Sequence, residues 1–388
     1  MIRLSRVTLR EINLALIEPF QTSAGVVDKR RIVLVELANA DGIEAWSECV
    51  AEALPTYSSE TVDTCWLALT EWLVPDALGR AFPTPQSARA ALDRNVRGHR
   101  MAKAAIEMGI WAMAASQRGL PLAALLAGES AHADKPGTGP RDVVETGIAL
   151  GIQQTPAAIA TRSQKAMAEG YRRIKLKIEP GRDVEFVKAA TRAINGRASL
   201  SVDANCSYTL DNQAHVRALE ELDSLGLAMI EQPLHHDDLV HHAELQRRLT
   251  TPICLDESIS SEADVEAMLT LRSARVVNIK PGRVGGFAQA IAIHDRCAGA
   301  GVPVWCGGMY ESGIGRAYNV ALASLPNFSE PGDLSPSARY WARDVVTPPW
   351  MMDENGMVRV PLDKPGLGVD IDAGLIDDLT VRRASFDV

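Results

Sequence analysis

At 388 residues the chain exceeds the roughly 250 residues of a bare (β/α) barrel, so a second domain fits beside one. Its composition, 46% apolar and 23% charged with no low-complexity tract, is that of a globular enzyme with a sizeable core. A net charge of -9 argues against nucleic acid as a partner. No stretch reaches the ~18 apolar residues of a membrane span, and six cysteines without a CxxC pair read as reduced packing thiols in the cytoplasm.

In chain order, residues 2–18 and 31–50 alternate as strands do, with Asn39-Ala-Asp-Gly42 as a turn, which predicts a three-stranded antiparallel meander. The stretch Pro19–Lys29 between the first two strands fits neither period and reads as an irregular loop. Helices are expected from Ser58 through Val74, where Pro75 should stop the first, then over Ser87–Leu92, then over Met101–Gln117. Met108, Trp111 and Met113 in the last belong to the core by their spacing, not to a cofactor. Residues 131–141, rich in Gly and Pro, read as a linker.

Glu145–Gly151 is the next predicted strand, followed by a helix capped by Thr155 and Pro156 and stopped by Gly170. From there one device recurs five times: a short apolar run that ends in a charged residue, then a polar helix. The charged residues are Lys177, Asp203, Glu231, Asp256 and Lys280, separated by 26, 28, 25 and 24 positions. Helices are expected over 183–195, 212–225, 238–249 and 261–272, with a fifth opened by Gly286. Short Val/Ile/Leu strands alternating with helices predict a parallel sheet of βαβ units, and in a closed barrel the C-terminal ends of successive strands meet at one mouth. One strand ends on a charge merely because it meets water; five in register bring three carboxylates and two lysines into one pocket.

Three acidic oxygen donors on adjacent strands suit a hard cation, Mg²⁺ or Mn²⁺, better than Zn²⁺. Asp203, Glu231 and Asp256 are the candidate ligands, with Lys177 and Lys280 on either side of anything held over the ion. Side-chain alternation adds Lys175, Asn205 and Asn278 on the same faces, and Glu257 joins them as a supporting residue. The run His235-His-Asp-Asp-Leu-Val-His-His242 matches no zinc spacing and reads as a solvated helix start. The glycines between Gly282 and Gly286 are expected to let backbone approach the site.

The motifs Lys175-x-Lys177, Asp203-x-Asn205, Glu231-Gln-Pro233, Asp256-Glu-Ser258 and Lys280-Pro-Gly-Arg-Val-Gly-Gly286 resemble the muconate-lactonizing-enzyme subgroup of the enolase superfamily. Within it, Trp305 to Arg316, Asn319 to Leu325 and Pro331-Gly-Asp333 are similar to the o-succinylbenzoate synthases and N-acylamino acid (N-succinylamino acid) racemases. The likeness runs over nearly the whole chain. It implies an α/β fold: a modified (β/α)7β TIM-type barrel over residues 131–345, with an α+β capping domain over 1–130 completed by residues 346–388. The seventh strand would be Pro303–Cys306 and a short last one Asn327–Glu330.

The resemblance further implies a lysine base and an enediolate stabilised by Mg²⁺. Two outcomes follow: the lysines racemise an acylamino acid, or Lys177 alone dehydrates a β-hydroxy acid beside a cationic Lys280. Arg283 resembles the arginine of racemase-capable members and is expected to lower the pKa of Lys280. Phe20, Ser23, Gly307, Met309, Tyr310, Glu311 and Ser312 are the candidate substrate contacts; Ala149, Tyr310 and Ser312 depart from the usual pattern there. A small carboxylate substrate and a homo-oligomer are expected. Dipeptide epimerase and muconate cycloisomerase are the nearest alternatives, and a non-catalytic binding relative is the one from another class.

Overall fold

In the computed structural model, which describes residues 1–133 and 137–388, the N-terminal alternation becomes strands Ile2–Thr22, Gly25–Asn39 and Glu44–Cys49. They pair antiparallel in that order. The predicted turn forms: the side-chain oxygen of Asn39 accepts from the amides of Asp41 (3.0 Å) and Ile43 (2.9 Å), and Gly42 takes a φ of 79°.

Pro19–Lys29 is not an irregular loop. The first two strands run on as a hairpin whose last pairs are Phe20 with Val27, Gln21 with Val26 and Thr22 with Gly25. The irregularity lies earlier, where the register shifts between Ala15 and Phe20 and the Ile17 amide turns to the Tyr340 carbonyl, 2.9 Å away. Pro75 does not stop the first helix either. Leu69–Leu73 winds as a π turn, and Pro75 then falls in the first turn of a new α-segment, where its missing N–H is tolerated.

The helix Arg100–Gln117 lies across the N-terminal sheet with Met108, Trp111 and Met113 fully buried, as core residues. Its Glu107 holds the N-terminus of the barrel helix Phe287–Gly299: the carboxylate accepts from the amides of Phe287 (2.8 Å) and Ala288 (2.9 Å) and from the Trp111 indole (2.7 Å). Burial pushes this carboxyl up to about 7.

Seven parallel strands follow one another around the barrel: Gly147–Leu150, Arg173–Lys177, Ser199–Asp203, Ile230–Glu231, Ile253–Leu255, Val276–Ile279 and Val304–Cys306. The predicted first strand is in fact split. Val143–Glu145 pairs with Met357–Arg359, and only Gly147–Leu150 enters the barrel. The helices after the charged strand ends fall at Val184–Ile194, Gln213–Asp223, Leu239–Arg248 and Glu262–Leu271, within a few residues of expectation.

The predicted last strand Asn327–Glu330 does not form: an irregular segment closes the ring instead, with one isolated bridge of Gly332 to Thr146. The Val304 amide donates to the Asn327 carbonyl (3.2 Å), the Asp333 amide to the Cys306 carbonyl (2.9 Å) and the Gly147 amide to the Gly332 carbonyl (2.7 Å). The fold is thus a TIM-type barrel with a capping domain. The C-terminal strand Thr380–Asp387 returns to pair with the first strand from Arg6 to Ile12. Part of the predicted linker, residues 134–136, lies outside the described residues. The six cysteines form no disulfide, and Cys206 alone is not fully buried. Among the described residues no helix is long and apolar enough to cross a membrane.

Candidate active site

Parallel pairing in register sets Lys177 opposite Asp203, and Asp203 opposite Glu231. The three candidate acids are buried to 1% exposure or less, so their charges survive only with partners. Each has a lysine. Asp203 lies 2.6 Å from Lys177, Glu231 lies 2.9 Å from Lys175, and Asp256 lies 2.7 Å from Lys280.

Burial works against all three charges, and the neighbours decide the result. Lys177 and Lys175 hold Asp203 below its usual value, and Lys280 and Arg283 hold Asp256 down at about 2. Glu231 goes the other way, pushed up to about 7 by burial and by the charge of Asp203, despite Lys175. Three carboxylates that feel one another's charge on adjacent strand ends are a donor set a hard divalent cation fits. By contrast, His235, His236 and Asp237 also lie close together, but all three are exposed and the two rings stack on each other at 4.3 Å.

Above the acids opens a cavity of about 1010 Å³ lined by Lys175, Lys177 and Lys280 together with Asn205, Glu257 and Arg283. The acids themselves are not in its lining; the lysines cover them. On one flank Lys177 donates to the Asn205 side-chain oxygen (2.8 Å), and the Asn205 amide nitrogen donates to Glu257 (2.9 Å). The other Glu257 oxygen is buried without a partner, and burial with the charge of Asp256 pushes that carboxyl up to about 8. Asn278 supports the middle acid, donating to Glu231 at 2.8 Å.

On the other flank, Asp256 is shared. Lys280, Arg283 and the Tyr57 hydroxyl all bond to it, the last at 2.9 Å. Arg283 also donates to the carbonyls of Ile259 (2.8 Å) and Asn278 (2.6 Å). Arg283 acts on Lys280 in the expected direction, but it does not decide the outcome. Burial and Arg283 both disfavour the ammonium, but Asp256 outweighs them and Lys280 ends well above the ordinary lysine range. The same guanidinium also holds Asp256 down.

The structure divides the candidate substrate contacts. Phe20, Met309 and Tyr310 line the cavity, and Phe20 meets Tyr310 edge to face at 5.4 Å. Ser23 does not: its hydroxyl donates to the Ala204 carbonyl (3.2 Å) and pins the hairpin tip to the barrel. Gly307 leaves room for its neighbours, since a Cβ there would stand 2.6 Å from the Lys280 side chain. Glu311 and Ser312 are structural. Glu311 accepts from the Met309 amide (2.8 Å) and Asn319 (2.7 Å), while Ser312 caps the helix Gly313–Ala323 and donates to Glu48 (2.6 Å). Ser312 follows a strand end, but its hydroxyl is used to start the next helix.

The glycines after Lys280 also serve another purpose. The segment is a helical turn, Pro281–Val284, and a Cβ on Gly282, Gly285 or Gly286 would strike Val50, Arg89 or Glu107, respectively. They let the capping domain close in.

Sequence reasoning missed Asp333, Arg173 and Tyr57. Asp333 bonds to Lys175 and to Arg173, each at 2.8 Å, and both cations stack on Trp305 at 4.5 Å. Asp333 follows an irregular segment with no strand to mark its end, so strand periodicity could not place it at the mouth. Tyr57 carries no local signal.

Residues 158–375 match the family described as enolase C-terminal domain-like, and residues 5–127 match the mandelate racemase / muconate lactonizing enzyme N-terminal domain. An o-succinylbenzoate synthase of Geobacillus stearothermophilus is 44% identical over 379 residues, 98% of this chain and 96% of that protein. An N-succinylamino acid racemase of an Amycolatopsis species is 43% identical over 381 residues, 98% of each. Among solved structures, an enolase superfamily member from Listeria innocua superposes with a TM-score of 0.91 at 35% identity over 100% of both chains.

Proposed function

The chain belongs to the enolase superfamily, in its mandelate racemase / muconate lactonizing enzyme branch, and from that membership we propose that it removes the α-proton of a small carboxylate substrate. The reaction is that of an o-succinylbenzoate synthase, an N-acylamino acid racemase, or both, as the names of its relatives suggest. Members of the superfamily use Mg²⁺; here Asp203, Glu231 and Asp256 would hold it, with Mn²⁺ as the substitute. When bound, the cation supplies positive charge where the substrate carboxylate becomes an enediolate.

The residues of the chain do the rest. Lys177 takes the α-proton from one face of the bound acid. In racemisation Lys280 returns a proton to the opposite face, and in the reverse direction the two exchange duties. In dehydration Lys177 gives its proton to the departing β-hydroxyl, and Lys280 remains a cation beside the anionic carbon framework. Asn205 and Glu257 orient Lys177, Arg283 and Asp256 orient Lys280, and Lys175 with Asp333 balances the charge beneath them. The capping unit we assign to residues 1–130 and 346–388, and the barrel to 131–345. Phe20, Met309 and Tyr310 would meet the substrate's side chain or acyl group. We place the enzyme in the cytoplasm, as a homo-oligomer.

One observation carries this reading: two lysines, on the second and sixth strands, line one cavity on either side of three buried acids on the strands between. Incubation with Mg²⁺ in D₂O tests it, with NMR following the α-proton of N-succinyl amino acids and absorbance following dehydration of the synthase's cyclohexadiene substrate. Exchange or dehydration that stops on chelation is expected. Neither activity, with metal present, would leave a binding protein.

A further inference from the structure

The two lysines are held by chemically different surroundings. Lys177 sits among an acid and an amide, both from the barrel, whereas Lys280 has its ammonium 4.4 Å from the centre of the Tyr57 ring. That tyrosine comes from outside the barrel, on the stretch between strand Glu44–Cys49 and helix Val62–Ala68. Its phenol is fixed at the other end too: the hydroxyl donates to Asp256 (2.9 Å) and accepts from Arg283 (3.1 Å).

The stem of this stretch is anchored. The fully buried Arg30 donates to the carbonyls of Val50 (2.9 Å) and Ala51 (3.2 Å), and the Val62 amide donates to the Glu52 carbonyl (2.9 Å). Val50 packs on Gly282, two residues beyond Lys280, where no larger residue would fit. The ring is thus brought to Lys280 on a stretch whose two ends the capping domain holds.

We propose that Tyr57 is a positioning residue for Lys280: its ring face and Asp256 take up two directions around the ammonium and leave the third N–H aimed into the cavity. An aromatic face attracts a cation and cannot accept its proton, so it fixes the nitrogen without competing for the transfer. In the step served, Lys280 gives one proton to the α-carbon and is left as the amine; in reverse it takes that proton and becomes the ammonium. Tyr57 exchanges no proton in either direction. The inference rests on the α-proton reading above.

Face-resolved exchange tests it. Each enantiomer of an N-succinyl amino acid presents its α-proton to one lysine, and Lys177→Ala and Lys280→Ala identify which by the exchange each abolishes. Tyr57→Leu is expected to slow Mg²⁺-dependent exchange of the Lys280-facing enantiomer about tenfold in kcat, with the other within about twofold. Tyr57→Phe, which keeps the ring, should lose less than Tyr57→Leu. Equal losses for both enantiomers, no loss for either, or a Phe variant as slow as the Leu variant would overturn the proposal. Wild-type protein that exchanges neither enantiomer would instead sink the α-proton reading, and this inference with it.

Discussion

The flanks of the site solve the same problem with different materials. The side chains that hold Lys177 all come from the barrel, an acid one strand over and the Asn205 amide backed by Glu257. The cap touches this flank where Ser23 meets the backbone carbonyls of Ala204 and Asn205. The Lys280 flank borrows from the capping domain: Tyr57 lies against the ammonium, and glycines after it let Val50, Arg89 and Glu107 close in. The cap thus touches Lys280 directly and reaches Lys177 through the backbone at Asn205, so changes at the seam near Val50 and Gly282 should reach Lys280 more than Lys177.

The largest test removes the amines. Lys177→Ala should lower dehydration and racemisation alike by about 10³-fold, whereas Lys280→Ala should lower racemisation as far but dehydration clearly less, in steady-state assays of both reactions. Equal effects of Lys280→Ala on the two reactions would erase the distinction between the flanks.

Arg283→Gln comes next. Losing the guanidinium that shares Asp256 with Lys280 should cost racemisation roughly 10- to 100-fold and dehydration only a few-fold. Parallel losses in both assays would remove Arg283 from any role specific to racemisation. On the opposite flank, Asn205→Ala should slow exchange of the Lys177-facing enantiomer by about tenfold and leave the other nearly unchanged, the mirror of the Tyr57 variants.

Gly282→Ala probes the seam itself. The new Cβ strikes Val50, so a loss of about 1–3 kcal/mol in urea unfolding is expected, with Val50→Ala in the same chain restoring part of it. A variant as stable as wild type would mean the seam yields freely.

The smallest effect on this comparison is a limit on the pH at which it can be run. His242, on the helix after the Glu231 strand, is neutral: its Nδ1 donates to the Asp238 carbonyl (2.6 Å) and its Nε2 accepts from the Leu234 amide (3.2 Å). Burial pulls it from 6.5 down to about 4. The unfolded chain therefore binds the proton first, so the contribution of His242 is whole above about pH 6.5 and is lost as pH falls towards 4. The expected loss is about 2–3 kcal/mol by pH 4, read as a fall in Tm that His242→Gln reduces.

Much of the candidate site was legible because it is periodic. Lys177, Asp203, Glu231, Asp256 and Lys280 each end a short apolar run one βα unit after the last, and side-chain alternation added Lys175, Asn205 and Asn278. Periodicity failed where the chain departs from regular elements. Ser312 caps the next helix and Glu311 is held by the Met309 amide and Asn319, so neither lines the cavity as a substrate contact would, and Phe20 lies on a hairpin that the sequence disguised as a loop.

By itself, then, the sequence determined a barrel whose mouth holds three acids between two lysines, since strand spacing and alternation dictate which side chains share an end. Only the tertiary structure decided which cation serves which acid, that Asp333 joins from the closing segment, and that Tyr57 arrives from the cap. These are contacts between positions as much as 199 residues apart, as Tyr57 and Asp256 are, and no local pattern encodes them. They exist because buried charges must find partners once the barrel closes and the cap docks, and the partner is whichever group the docked backbones bring within reach.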